Sequence, residues 1–516
     1  MKRKTWSTLA NTILLVLPLL LSAVLGVANV SADTTDSVNV TLHKRVYDEG
    51  KMPSDKQNKG EVDNDFGGTP LAGVTFTAYD VTSEYNKKYI EYRKDETLTA
   101  DEAAKKAVSY IQGTAAQTPN ATEVSKQTTA GAEGTAVFAG LNAKDDKGNN
   151  KVYLFVETNS PTDITQKADP IVLALPIYKT GSASEINTNI HVYPKNEKST
   201  AITKDLNDKS KTALEVTLPN GTKMYNAKFG QTFGYQLQIA VPWNIADKLT
   251  FNVVDTPNLG IDDVASTVQV AGLTKGTDYT VEASAANDQN GKGFKITFDT
   301  STAAVKAAAG KKLTITYDAT LTNAAVPDKA LNNRATLNIG NGTDVTSTPT
   351  QGPEIYTGGI NFVKQDKQSD KTLANAEFQL VKLNENGDKV AYATQASDGS
   401  YNWAATADSA TTYTSDSKGA ISLKGLEYST KLSDGQSYAL VETKAPEGYA
   451  LLTAPVKFTV TKGSFDASQL ITITNIKKGI LPSTGGSGIY LFLIIGALMM
   501  GAAYLWNKRN KKEQNI

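Results

Sequence analysis

The chain has 516 residues, Lys plus Arg and Asp plus Glu are balanced at 53 each, and cysteine is absent. The charge balance removes any electrostatic argument for nucleic acid or an anionic membrane as partner. The lack of cysteine excludes disulfides, thiol catalysis and Cys-based zinc sites.

At the N-terminus, Lys2, Arg3 and Lys4 precede a mostly apolar run over 9–27, and Val30-Ser31-Ala32 supplies a small-x-small cleavage pattern. Residues 1–32 therefore read as an export signal cut after Ala32. What remains is long enough for about three domains at roughly 150 residues each. An exported chain of this kind commonly uses disulfides as staples, so this one needs large cores or another covalent device.

Short alternating runs follow, such as 38–42, 233–239, 312–317 and 457–460, separated by clusters of Gly, Asn, Asp and Pro. This is the rhythm of tandem β-sandwiches, and the expected fold is all-β. One helical interruption is expected from Thr99 to about Gln112, where Thr99 and Glu102 can form a capping box ahead of an Ala-rich stretch. It reads as an insertion in the first domain.

An internal repeat sets the boundaries. The first third contains Lys44, then 71–76, 134–141, 153–158 and 191–196; the last third repeats the order as Lys364, 373–378, 419–426, 438–443 and 473–475. The stretch from about 198 to 355 does not match. The expected organisation is 33–197, 198–355 and 356–480, followed by a tail over 481–516.

The tail combines Leu481-Pro482-Ser483-Thr484-Gly485, an uncharged run from Ile489 to Trp506, and Lys508, Arg509, Lys511 and Lys512. The run is just long enough for a short membrane helix, and the basic cluster holds the end on the cytoplasmic side. The pentapeptide resembles the LPxTG sorting signal of Gram-positive surface proteins. That resemblance implies a sortase cutting between Thr484 and Gly485 and passing the threonyl carbonyl to an amine.

The repeats resemble the CnaB-type domains of Gram-positive adhesins and pilins, and the middle domain is similar to the CnaA type; the resemblance implies immunoglobulin-like sandwiches throughout. Tyr438-x-Leu440-x-Glu442-Thr443-x-Ala445-Pro446-x-Gly448-Tyr449 fits the pilin E-box, of which Tyr153 to Thr158 is a degenerate copy. His191-Val192-Tyr193-Pro194-Lys195-Asn196 resembles the pilin motif, although Ile186 stands where the family has Trp. Together these features have the order of a sortase-assembled major pilin. The resemblance implies a covalent polymer in which the Lys195 amine is joined to Thr484 of the next subunit. Its implied partners are a pilus-type sortase, copies of itself, accessory pilins, peptidoglycan and a host surface ligand, with no nucleic acid. Pro194 favours an edge position and an accessible lysine.

The family also implies intramolecular isopeptide bonds, each promoted by a buried carboxyl. The candidates are Lys44, Asn196 and Glu157 in the first domain, Lys204, Asn333 and Asp255 in the middle, and Lys364, Asn475 and Glu442 in the last. Burial favours neutral amine and protonated acid, so the lysine can attack the Asn carbonyl carbon and expel ammonia without a separate enzyme.

No other catalytic constellation stands out. His43 and His191 read as ordinary strand positions, and Asp63, Asp65 and Asp145 do not follow EF-hand spacing. Phosphate loops, HExxH and GxSxG are absent. No cofactor or metal is expected, and the chain reads as a structural protein rather than an enzyme. The alternative is a monomeric wall-anchored adhesin built from the same modules, which needs the pentapeptide but not Lys195.

Overall fold

The computed structural model describes residues 37–115, 121–182, 184–218, 220–433, 435–479 and 488–513. The expected signal with Ala32, and the pentapeptide with Thr484 and Gly485, lie outside the described residues.

Strands dominate, as the alternating runs require. In Ser37–His43, Val38, Val40 and Leu42 point inward and are buried while their neighbours face outward, the two-residue period of a half-buried strand. Contacts divide the chain into two compact units. The first is built on the chain up to 215 with 232–324 and 330–355; the second on 216–231, 325–329 and the chain from 356 onward.

The first unit holds two sandwiches. In the N-terminal one, Ser37–His43 and Arg45–Asp48 lie parallel to the late strands Asn189–Val192 and Lys195–Lys198. The opposing sheet runs Thr122–Thr128, Thr75–Asp80, Val152–Asn159, Ile171–Ala174. Val40, Leu42, Phe76, Phe138 and Phe155 fill the core. The middle sandwich sets Ile202–Leu206, Thr232–Ala240, Lys312–Leu321 and Ile261–Asp263 in one sheet. Its other sheet is Tyr279–Ser284, Gly293–Phe298, Thr250–Pro257, Asn333–Asn341 and Asp344–Gln351.

The second unit repeats the plan of the first sandwich. Gly358–Asp366 pairs in parallel with Ile471–Asn475 and antiparallel with Ala420–Leu426. Glu377–Leu383 and Ser437–Lys444 form the centre of the facing sheet. Segments 216–231 and 325–329, adjacent in sequence to the middle sandwich, belong to this unit. The Phe229 amide donates to the Gly425 carbonyl at 3.0 Å, and a Cβ on Gly425, whose φ is +76°, would sit 2.0 Å from the Phe229 ring.

The two repeats share their small bonds as well as their order. Lys44 N donates to Gly134 O and Leu71 N to Lys44 O; Lys364 N donates to Gly419 O and Leu373 N to Lys364 O. Gly134 and Gly419 both have positive φ and stand against this backbone, a place that favours glycine.

The expected helix forms as Ala100–Tyr110, with both halves of the Thr99–Glu102 capping box made. A second helix, Thr82–Arg93, precedes it and was not legible, because its polar sequence lacks a periodic apolar stripe. The C-terminal Gly488–Glu513 is a 26-residue helix, about 39 Å long at roughly 1.5 Å per residue. Its described side chains, over 493–506, include exposed Leu493, Leu498, Met499, Met500 and Trp506. Among the described residues no helix is long and apolar enough by itself to cross a membrane; these side chains cover only part of the apolar run.

Candidate functional site

Each sandwich buries a cluster of a lysine, a carboxyl and an asparagine. In the first, Lys44, Glu157 and Asn196 are all at most 1% exposed. Parallel pairing sets Asn196 opposite Val46, two residues beyond Lys44, so the lysine reaches the asparagine diagonally within one sheet. Glu157 comes across the core from the facing sheet. Lys44 Nζ donates to Glu157 Oε2 at 2.9 Å and to Asn196 Oδ1, while Asn196 Nδ2 donates to Glu157 Oε1 at 2.8 Å. The Ala168 amide also donates to Glu157. Burial, opposed by Glu157, pushes the Lys44 ammonium down to about 8.

The last sandwich repeats this register: Asn475 lies opposite Asp366, two residues beyond Lys364. Lys364 Nζ hydrogen-bonds Asn475 Oδ1 and stands 3.6 Å from Glu442 Oε1. Asn475 Nδ2 donates to both Glu442 oxygens, at 3.1 and 2.9 Å, and to Ala450 O at 2.8 Å. Burial lowers the Lys364 pKa against the pull of Glu442. In both clusters the amine meets the amide oxygen and the carboxyl meets the amide nitrogen. A proton delivered by the carboxyl would therefore arrive on the atom that must leave as ammonia.

The middle sandwich is built differently. Lys204 lies in one sheet and Asn333 in the other, so a bond between them would cross the core rather than join neighbouring strands. Lys204 Nζ donates to both Asp255 oxygens, at 2.8 and 2.6 Å. Asn333 Nδ2 instead donates to Asp263 Oδ1 at 2.8 Å and to the Tyr317 hydroxyl at 3.1 Å, and that hydroxyl donates to Asp255 Oδ2 at 3.0 Å. Among the described residues no hydrogen bond joins Lys204 to Asn333. Burial lowers the Lys204 pKa. Burial first, and then the neighbouring Asp255, pushes Asp263 up to about 10. Sequence reasoning missed Asp263 and Tyr317. The available signal was parity: in Ile261–Asp263 the aspartate shares the inward face of the fully buried Ile261.

Lys195 corrects an expectation. Only 6% exposed, it is covered by segment 49–68, and its Nζ donates to Pro53 O at 2.8 Å and Lys56 O at 3.3 Å. Pro194 does not free the lysine, because Tyr193 pins the strap. Its amide donates to Asn58 Oδ1, its hydroxyl accepts from the Asp63 amide, and its ring stacks between Phe66 and His43. Burial lowers the Lys195 pKa. The two histidines are also more than separate strand positions. Their rings meet at 2.9 Å, and burial followed by the His191 charge brings His43 down to about 4. Among the described residues no group of three or more His, Asp or Glu is placed to hold a metal.

Four family descriptions match consecutive parts of the chain. Residues 35–197 match the Gram-positive pilin subunit D1 N-terminal domain, 217–350 the Sgo0707 N2 domain, 358–476 a prealbumin-like fold domain, and 473–515 the LPXTG cell wall anchor motif. Its N-terminal domain is a Gram-positive pilin domain and its tail a wall-anchor motif. Fimbrial subunit type 2 of Actinomyces naeslundii is 26% identical over 92% of this chain and 91% of the relative. Fimbrial subunit type 1 of Actinomyces viscosus is 27% identical over 76% and 77%. In fold the chain is similar to the full-length RrgB pilus protein of Streptococcus pneumoniae, with a TM-score of 0.51 at 18% identity, covering 87% of this chain and 99% of that one. The anchor match makes the chain a wall-anchored surface protein, and the pilin domain family it matches is structural rather than enzymatic.

Proposed function

We propose that this chain is the shaft subunit of a covalent pilus, polymerised by a sortase that joins the Lys195 amine to the Thr484 carbonyl of the next subunit. Residues 1–32 direct export, and cleavage between Thr484 and Gly485 precedes each linkage. The shaft subunit is organised as three sandwiches, over 33–197, 198–355 and 356–480. Each is closed by its own isopeptide bond: Lys44–Asn196 promoted by Glu157, Lys204–Asn333 with Asp255, and Lys364–Asn475 promoted by Glu442. Accessory pilins, peptidoglycan and a host surface ligand complete the set of partners.

The observation that carries the reading is the placement of Lys195 next to Asn196, whose side chain is already engaged with Lys44 and Glu157. A linkage made at Lys195 would enter the chain directly beside a covalent tie to the first strand. In each cluster the neutral amine forms a bond to the Asn Cγ, the Cγ–Nδ2 bond breaks, and ammonia leaves with a proton supplied by the carboxyl.

The test is an immunoblot of cell-wall extracts under denaturing conditions, comparing wild type with Lys195→Ala. A wild-type ladder that collapses in the variant is expected. A ladder that persists would move the linkage to another lysine, and a single band in wild type would favour the monomeric adhesin.

A further inference from the structure

We propose that Asp263 is the catalytic acid at Asn333, so that the middle sandwich divides between two aspartates the work that one glutamate does in each of the other clusters. The proposal rests on the isopeptide reading of that sandwich. Glu157 touches both its lysine and its asparagine, and Glu442 takes the Asn475 amide with Lys364 3.6 Å away. In the middle sandwich the two contacts fall on different groups. Asp255 holds the amine of Lys204 directly and meets the amide side only through the Tyr317 hydroxyl. Asp263 holds the amide nitrogen at 2.8 Å. An aspartate is one methylene shorter than a glutamate, and here the lysine and asparagine come from opposite sheets.

Unpaired atoms support the assignment. Asp263 Oδ2 and Asn333 Oδ1 are buried and neither receives a hydrogen bond from a donor among the described residues; the carboxyl that faces Asp263 at side-chain hydrogen-bond range is that of Asp255. A buried carboxylate oxygen without a donor is costly, whereas a protonated one is far less so. The groups that face Asp263 are Asp255, Lys204, Tyr317 and Tyr235. The cation facing it among the described residues, Lys204, is ion-paired with Asp255, so Asp263 is the carboxyl left to carry the proton.

The step balances as follows. Lys204 gives a proton to Asp255, and the neutral Nζ bonds to Asn333 Cγ, moving the carbonyl π electrons onto Oδ1. Asp263 protonates Nδ2, the Cγ–Nδ2 bond breaks as the carbonyl re-forms, and ammonia departs. The Asp263 carboxylate then takes the extra proton from Nζ and is restored as the acid. Tyr317, bonded to both Asp255 and Asn333 Nδ2, is a positioning residue for this transfer.

The experiment follows bond formation after synthesis of the full chain, using digestion and mass spectrometry of the three cross-linked peptide pairs. Wild type should show the Lys204–Asn333 pair one ammonia lighter than its parts. In Asp263→Asn that pair should form at least about a hundredfold more slowly, the scale of a lost acid catalyst. The Lys44–Asn196 and Lys364–Asn475 pairs should keep their wild-type rates. Asp263→Glu should recover part of the rate, which a merely space-filling role would not explain. If Asp263→Asn does not fold, Asp263→Ser gives the same reading. Bonding at the wild-type rate in the folded variant would overturn the proposal and return the acid to Asp255. Absence of the pair from wild type would overturn the isopeptide reading itself, and the proposal with it.

Discussion

In the proposed bond, burial is what would make Lys44 a nucleophile. Its folded-state pKa of about 8 lies below the 10.5 of the free side chain because burial disfavours the ammonium. Between those values an unfolded chain still holds the proton that the folded chain has released, so the unbonded first sandwich gains stability as pH rises across that window. Urea unfolding of Asn196→Ala should show this gain, up to roughly 3 kcal/mol, and Asn196→Ala combined with Lys44→Met should lack it; a midpoint that falls with pH in the first would contradict the burial argument. Glu442→Gln tests the other partner. It should leave the chain one ammonia heavier by intact mass and destabilise the last sandwich by about 3 to 5 kcal/mol, the scale for stranding a buried charge. Glu442→Gln that still loses ammonia would show that the carboxyl is dispensable. The residues of the outer clusters were legible because the repeat aligns Lys44 with Lys364 and Glu157 with Glu442. Asp263 was not, because Gly260-Ile261-Asp262-Asp263 reads as a turn unless the parity of Ile261 is used.

Elements defined by local signals were the easiest to read. Thr99 and Glu102 announce their helix through a capping box, whereas Thr82–Arg93 has no side-chain cap bond and a nearly uniform polar sequence. The segment over 49–68 was equally illegible. Its turns look like an ordinary exposed loop, and long-range bonds such as those from Asn187, His191 and Tyr193 hold it over Lys195. For an enzyme to reach that amine, the strap has to lift. Gly60 is where the strap is clamped, with φ at +79° and its carbonyl accepting from both the His191 amide and the Asn187 side chain. Gly60→Ala places a Cβ in the left-handed region at about 1 to 2 kcal/mol, so it should open the strap roughly 5- to 30-fold more often. The readout is acetylation of Lys195 by an amine-reactive reagent, followed on its peptide. An unchanged rate would show that Lys195 is reached without moving the strap.

For the whole molecule, the proposed bonds decide where tension runs. A subunit pulled between Lys195 and Thr484 carries no load through the chain before Lys195, so the Lys44–Asn196 bond anchors the first sandwich without placing it in series. Load instead follows 195 to 204, crosses the middle core to 333, continues to 364, crosses to 475 and leaves through the tail. The strands between 204 and 333, and between 364 and 475, are bypassed. By analogy with disulfides, closing a loop on the order of 100 residues also stabilises each sandwich by about 4 to 5 kcal/mol, but a covalent bypass matters more under force, because a domain whose ends are bonded cannot extend however its core fares. Single-molecule pulling on polymerised wild-type pilin should therefore show no unfolding steps from these two sandwiches before rupture. Lys204→Ala should add one step per subunit, releasing roughly 130 residues at about 3.5 Å each, on the order of 40 nm. Lys44→Ala should add none, because its loop lies outside the loaded path; a step in that variant would place the linkage somewhere other than Lys195.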